Sequence, residues 1–166
     1  MKPYVSKLFN LGYLDHKGGF AIDIGSGDGS DTKTFEDLGY RVEKFDKKDG
    51  KDLREYNFQT AKFNFINCNN VLPFIGKKEE IEIALQKMSA ALAEEGTLHF
   101  TLFGENDEWN STESTMSFYR FDEANKMIDR LGLKCLLRSS EEYFGKTMDG
   151  EKKYWHILRF VCRKLA

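Results

Sequence analysis

The stretch Ala21-Ile22-Asp23-Ile24-Gly25-Ser26-Gly27-Asp28-Gly29-Ser30-Asp31-Thr32 decides the fold of this chain. It is typical of a short apolar strand that runs into a glycine-rich turn and then into a helix. In doubly wound α/β domains this unit holds a nucleotide-like cofactor. Dinucleotide-binding proteins carry Gly-x-Gly-x-x-Gly, with Gly or Ala in the last place. Here the third glycine comes one residue early, at Gly29, and Ser30 occupies the last place, so the spacing disfavours a dinucleotide.

Length and composition indicate one globular domain over residues 1–166. The chain is 40% apolar and 31% charged, which excludes a disordered protein. The net charge is −2 and basic residues are interleaved with acidic ones, so we expect no nucleic-acid partner. No apolar run is long enough to cross a membrane, and the start of the sequence has no signal-peptide character. The three cysteines, Cys68, Cys135 and Cys162, are scattered and predict neither a disulfide framework nor a metal site. We therefore expect a cytoplasmic location.

Apolar periodicity predicts alternating strands and helices along the chain. Alternation of this kind implies a largely parallel sheet with helices on both faces. The last two strands follow each other without a helix, so we expect them to pair antiparallel at one edge. The predicted strands are Phe20–Ile24, Tyr40–Asp46, Phe63–Cys68, Thr97–Phe103, Lys134–Arg138 and Tyr154–Arg163. A capping helix is predicted over residues 1–14. Three further helices are predicted from the spacing of Thr32/Phe35/Leu38, from the apolar stripe Ile81 to Leu92, and from Asp122 as N-cap with Gly132 at the end.

The motif Gly-x-Gly-x-Gly after a strand that carries an acid resembles the first motif of class I S-adenosylmethionine-dependent methyltransferases. The antiparallel final strand also resembles their Rossmann-like sheet. Only a short polar segment lies between Asp46 and Phe63, where that family usually has a helix and a further strand, so we expect this region to be shortened. The segment Phe103 to Trp109, the pair Trp155-His156 and Asp31-Thr32 are similar to a small bacterial branch related to the tellurite-resistance methyltransferases.

The resemblance implies that S-adenosylmethionine is the cofactor. Asp46 ends the second strand, roughly twenty residues beyond the glycines, where such sheets place the acid that binds ribose. Lys47 would flank adenine or remain a surface lysine, and Asp49 competes with Asp52 for the adenine contact. Cys68 would line the sulfonium end or serve as a small buried apolar residue. The predicted cofactor-binding residues are Asp23, Gly25, Ser26, Gly27, Gly29, Asp46, Lys47, Asp52, Leu53, Cys68 and Asn69.

Methyl transfer from a sulfonium is an in-line displacement, for which the protein positions the acceptor and excludes water. The predicted catalytic residues are His156, Asp107 and Trp155, with Glu105 as another candidate base. A structural role at the end of a strand or in packing is the alternative for the histidine and the tryptophan. Short loops favour a small-molecule acceptor. The alternative functions are a nicotinamide-dependent oxidoreductase, which Ser30 disfavours, and a non-catalytic cofactor-binding module; the sequence predicts no oligomeric state.

Overall fold

The computed structural model describes residues 2–14, 18–113 and 115–166. Within these residues the chain forms seven strands and four α-helices in alternation, with short 3₁₀ helices between them. None of the helices described is long and apolar enough to cross a membrane. In chain order the elements are α1 (Pro3–Asn10), β1 (Gly19–Ile24), α2 (Ser30–Asp37), β2 (Tyr40–Phe45), a 3₁₀ helix (Lys47–Asp49), β3 (Phe63–Cys68), a 3₁₀ helix (Leu72–Phe74), α3 (Lys78–Ala91), β4 (Leu92–Gly104), a 3₁₀ helix (Glu108–Ser111), β5 (Phe118–Tyr119), α4 (Phe121–Asp129), β6 (Lys134–Lys146) and β7 (Lys152–Arg163).

One sheet organises the molecule, with the strand order β2-β1-β3-β4-β7-β6. Strands β2, β1, β3 and β4 are parallel, β7 runs antiparallel to β4 and to β6, and the two-residue β5 pairs with the end of β4. The predicted sheet, mostly parallel with an antiparallel last strand, is confirmed. The connection after β1 leads to β2 on one side and the connection after β3 leads to β4 on the other. Ligands of open α/β sheets bind at such a switch point, beyond the carboxyl ends of the strands.

Helices cover both faces of the sheet, as predicted. Apolar residues of α1 and α2, among them Val5, Leu8 and Phe35, pack on one face around Phe65 of β3. The stripes of α3 and α4 pack on the other face, which is the larger core. Because side chains alternate along a strand, each central strand contributes to both cores.

Several boundaries differ from the predictions. The capping helix spans Pro3–Asn10 rather than residues 1–14, because Gly12 takes a left-handed φ of +75° and ends it. Met1 lies outside the described residues. Strand β4 begins at Leu92, which the helical stripe had included. Asp122 is not an N-cap: α4 begins one residue earlier, and the Glu123 side chain accepts the Arg120 backbone N–H at 3.3 Å. The last two strands are longer than predicted and form a hairpin from Lys134 to Arg163.

The segment between β2 and β3 is shortened, as predicted. It contains only the 3₁₀ helix Lys47–Asp49 and turns, with neither an α-helix nor a strand. Strand β2 is therefore an edge strand of the sheet.

Candidate cofactor-binding site

A cleft of about 490 Å³ opens at the carboxyl ends of β1 and β2. Its volume lies in the range of about 300–1,000 Å³ that is common for small-molecule sites. Its walls are the turn after β1, the end of β2, the segment Lys51–Arg54 and the turn after β3. The lining residues are Ile24, Gly25, Phe45, Asp46, Lys47, Lys51, Asp52, Leu53, Arg54, Asn70, Val71, Phe74, Ile75, Gly76 and Thr115.

The glycine turn brings two loops into close contact. Gly25 has a φ of +74°, and a Cβ added to it would lie less than 3.0 Å from Val71 Cγ2 in the turn after β3. Gly29, with a φ of +80°, is the N-cap of α2. Glycine is required at Gly25 both by its left-handed backbone and by the approach of Val71.

Asp46 faces the cleft as an ionised carboxylate. Its Oδ2 accepts the Gly27 backbone N–H at 2.7 Å, and its Oδ1 accepts the Lys48 backbone N–H at 3.0 Å. The Lys48 amide, followed by the Gly27 amide, lowers the pKa of the Asp46 carboxyl below its usual value. The carboxylate thus ties the end of β2 to the glycine turn, and both belong to one wall of the cleft.

Asp52 and Leu53 also reach the cleft, whereas Asp49 does not line it. The Asp52 carboxylate accepts from Arg54 Nη2 at 2.7 Å and from the Arg54 backbone N–H at 2.9 Å. The Arg54 side chain lowers the pKa of Asp52 to about 2. Lys47 lines the cleft beside Asp46.

Asp23 lies beneath the glycine turn rather than in the cleft. It is 1% exposed. Its carboxylate accepts from the Thr32 hydroxyl at 2.7 Å and from Asn67 Nδ2 at 2.9 Å. Burial raises the pKa of Asp23, and the two hydrogen bonds oppose this shift. The side chain therefore joins the start of α2, through Thr32, to the end of β3, through Asn67.

The two predicted residues at the end of β3 lie in different surroundings. Cys68 is fully buried in the core against α3, and burial raises the pKa of its thiol, so the thiol does not reach the cleft. Asn69 is partly exposed just beyond the strand, and its Oδ1 lies 3.4 Å from Arg159 Nη1.

The predicted catalytic residues form a second cluster beyond the end of β4. His156 Nδ1 accepts the Asn106 backbone N–H at 3.1 Å, so the neutral ring carries its proton on Nε2, which lies 2.8 Å from Ser140 Oγ. The Asp107 carboxylate forms a buried ion pair with Lys153 and accepts the His156 backbone N–H at 3.0 Å. Neither residue lines the cleft, and their contacts join the loop after β4 to β7.

Aromatic rings connect this cluster to the cleft. Trp155 packs on Trp109 with ring centroids 5.4 Å apart, and Trp109 packs on Phe74 at 6.1 Å. Phe74 lines the cleft, so Trp155 reaches it only through two intervening rings.

Sequence analysis predicted Cys68 and Asn69 at the end of β3 as cofactor-binding residues, but not Asn70, Val71 and Ile75, which line the cleft. Asn70 has a left-handed φ of +56°, and its backbone N–H donates to Thr101 Oγ1 at 2.7 Å. This bond fixes the turn that carries Val71 and Ile75 into the cleft. The signal available was the position of Asn70, directly beyond a buried parallel strand, because asparagine tolerates the left-handed conformation.

Comparisons of the sequence with models of protein families and with curated proteins find no match. Solved structures are similar over nearly the whole chain. A methyltransferase described as S-adenosylmethionine-dependent, from Methanosarcina mazei, is 14% identical over 99% of this chain and 98% of its own, with a TM-score of 0.71. The 1,6-didemethyltoxoflavin-N1-methyltransferase of Burkholderia thailandensis, solved with that compound and S-adenosylhomocysteine, is 15% identical over 99% and 78%, with a TM-score of 0.67.

TehB from Haemophilus influenzae is 14% identical over 96% of this chain and 60% of its own, with a TM-score of 0.74. At this level of identity the likeness concerns the fold. The strand order, the antiparallel β7 and the helices on both faces agree with it. The chain therefore has the Rossmann-like fold of class I S-adenosylmethionine-dependent methyltransferases.

Proposed function

We propose that this chain transfers a methyl group from S-adenosylmethionine to a small-molecule acceptor. A fold of this kind hosts many functions, so the proposal depends on the site. The observation that carries it is the ionised Asp46 carboxylate, which faces a cleft of suitable size beside the glycine turn. The fold of the solved methyltransferases supports the same assignment.

The residues around the cleft fit the parts of this cofactor. Each Asp46 oxygen accepts one backbone N–H, and a carboxylate offers about four acceptor positions, so it retains capacity for the ribose hydroxyls. Phe45, Leu53 and Ile75 supply apolar surface for adenine, with Asp52 as the proposed acceptor for its exocyclic amine. The backbone at Gly25, Ser26, Gly27 and Gly29 would receive the amino-acid end. When bound, the cofactor supplies an electrophilic methyl group on a sulfonium.

The remaining predicted residues would hold the cofactor-binding groups in position or border the transferred methyl group. Asp23 holds Thr32 and Asn67, and thereby sets the glycine turn against β3. Asn69 and the backbone of Cys68 would border the methyl group. His156 and Asp107 fix the loop after β4, and the ring row from Trp155 to Phe74 excludes water on that side.

Short connections between the elements favour a small-molecule acceptor over a macromolecular one. A net charge of −2 gives no electrostatic attraction for nucleic acid. The free thiols of Cys68, Cys135 and Cys162 are consistent with a reducing compartment, and we place the protein in the cytoplasm.

Calorimetric titration with S-adenosylhomocysteine tests the cofactor assignment. We expect micromolar binding, and Asp46→Ala should weaken it by about 1–3 kcal/mol because charged hydrogen bonds to ribose are lost. Asp49→Ala is the matched control, since this neighbouring acid does not line the cleft and its loss should change affinity less than twofold. A larger loss for Asp52→Ala than for Asp49→Ala would assign the adenine contact to Asp52.

Two results would contradict the proposal. A larger rise in melting temperature with NAD than with S-adenosylhomocysteine would favour an oxidoreductase, since bound ligand stabilises by mass action. Cofactor binding without methyl transfer to any member of a panel of thiols, amines and carboxylic acids would favour a binding module.

A further inference from the structure

A row of polar side chains crosses four neighbouring strands on the sheet face covered by α1 and α2. Asp23, Asn67 and His99 are register partners on β1, β3 and β4, and Arg159 on β7 continues the row. Arg159 Nη1 lies 2.6 Å from His99 Nε2, His99 Nδ1 lies 2.7 Å from Asn67 Oδ1, and Asn67 Nδ2 lies 2.9 Å from Asp23 Oδ1. Tyr4 of α1 stacks on the His99 ring at 5.1 Å. Asp23, Asn67 and His99 are therefore buried beneath the N-terminal helix, and Arg159 is partly exposed at the end of the row.

The hydrogen bonds of this row have one possible direction. A guanidinium only donates, so His99 Nε2 must accept, and the imidazole proton is on Nδ1. His99 then donates to Asn67, which donates to Asp23. Burial, together with the Arg159 charge, lowers the pKa of His99 well below its usual value, which agrees with a neutral ring. The row thus carries a positive charge at Arg159 and a carboxylate at Asp23, with two neutral groups between them.

Arg159 lacks an acidic partner. Among the residues that the structure describes, no carboxylate lies within ion-pair distance of its guanidinium, and both of its hydrogen bonds use Nη1. The nearby Glu141 pairs instead with Lys7, at 3.8 Å. The Tyr4 ring lies 4.8 Å from the guanidinium carbon and supports the charge by a cation–π contact. Burial lowers the pKa of Arg159 and the charge of Glu141 opposes this shift, so an anion on the remaining donors would stabilise the cation further.

Arg159 is carried by β7, three strands away from β1 and its glycine turn. Strand spacing puts the two backbones about 14 Å apart, and the Arg159 side chain reaches from β7 across β4 toward the end of β3. The Oδ1 atom of Asn69, the residue proposed to border the methyl group, lies 3.4 Å from Arg159 Nη1. The Nε and Nη2 donors are arranged as a fork that matches the two oxygens of a carboxylate.

We propose that Arg159 binds a carboxylate of the methyl acceptor, so that the enzyme selects acceptors bearing a carboxylate near the accepting atom. This inference rests on the proposed methyl transfer. His99, Asn67 and Asp23 act as positioning residues: they hold Nη1, and the Nε and Nη2 donors have no hydrogen-bond partner among the described residues. A neutral donor would satisfy His99 equally well, and the positive charge is therefore explained by the ligand.

Titration with small carboxylates tests this assignment by NMR. The probes are acetate, benzoate and indole-3-acetate, with their amides as neutral counterparts, added to ¹⁵N-labelled protein with and without saturating S-adenosylhomocysteine. We expect at least one acid, and none of the amides, to shift the Arg159 Nε–H resonance to saturation. Arg159→Met should raise the dissociation constant of that acid at least tenfold. Arg163→Met is the matched control, because Arg163 lies on the same face of β7 about 13 Å away.

Two outcomes would overturn the inference. In one, none of the acids shifts the resonance in the wild-type protein, a measurement that needs no variant to fold. In the other, Arg159→Met and Arg159→Lys weaken S-adenosylhomocysteine at least tenfold but leave 5′-methylthioadenosine unchanged, which would assign Arg159 to the cofactor's own carboxylate. Failure of the wild-type protein to bind S-adenosylhomocysteine would instead contradict the proposed function, and the titration without it still tests Arg159.

Discussion

Gly25→Ala should destabilise the protein more than the same change at another left-handed glycine. Forcing alanine into the left-handed region costs about 1–2 kcal/mol. At Gly25 the new Cβ would also lie within 3.0 Å of Val71 Cγ2, and overpacking of this kind costs about 1–3 kcal/mol more. We therefore expect a loss of about 2–5 kcal/mol in the free energy of unfolding, measured by urea denaturation with fluorescence and circular dichroism.

Gly132→Ala is the matched control. Gly132 has a φ of +70°, close to the +74° of Gly25, but an added Cβ would meet no atom within 4 Å. It should lose only the backbone cost of about 1–2 kcal/mol. Val71→Ala removes the opposing methyl group, so in that background Gly25→Ala should cost no more than Gly132→Ala. Equal losses for the two glycines in the wild-type background, or no relief by Val71→Ala, would refute the packing argument.

Two further predictions concern buried charge and thiol reactivity. Lys153→Met leaves the fully buried Asp107 carboxylate without its partner, so the free energy of unfolding measured by urea denaturation should fall by about 3–5 kcal/mol. A fall of less than about 1 kcal/mol would contradict the proposed role of the pair. The Cys162 sulfur lies 3.4 Å from the Cys135 sulfur, and donation of its S–H to the Cys135 thiolate lowers the pKa of Cys135 below that of an ordinary thiol. Since the thiolate is the reactive form, alkylation of Cys135 by iodoacetamide, followed by mass spectrometry, should reach half its maximum at a lower pH in the intact protein than in the Cys162→Ala variant. An equal or lower midpoint in the variant would contradict the assignment.

Features that depend on residues close together in the sequence were predicted. The glycine turn and Asp46 were identified because their spacing relative to a strand is fixed by the chain itself. The polar row on the sheet was not foreseen, because Asn67 is 44 residues from Asp23, and Arg159 is 60 residues from His99. Such partners are set by strand register, for which a single sequence gives no local signal.

The predicted catalytic histidine illustrates the same limit. The strand direction was predicted correctly, and Ile157 of β7 does pair with Phe103 at the carboxyl end of β4. The orientation of His156 was not predictable, because it depends on the extra length of the final hairpin. That extension brings Ser140 of β6 beside Nε2 of His156, and the Asn106 backbone N–H occupies Nδ1, so both nitrogens of the predicted base have protein partners. Polar alternation along β6 concealed the extension, since an edge strand exposed on both sides lacks a strong apolar pattern.

The shortened segment after β2 removes a strand from the sheet without removing a wall from the cleft. Tyr56 packs edge-on against Phe45 at 4.8 Å, and Phe58 packs against Tyr56 at the same distance, so aromatic rings anchor the loop to the core. This anchoring holds the segment Lys51–Arg54 against the cleft. Shortening also makes β2 an edge strand, whose unpaired backbone groups invite association with another chain. Charged residues within Arg41–Lys44 oppose such pairing, and this explains how the sheet can end here while the proposed adenine wall is retained.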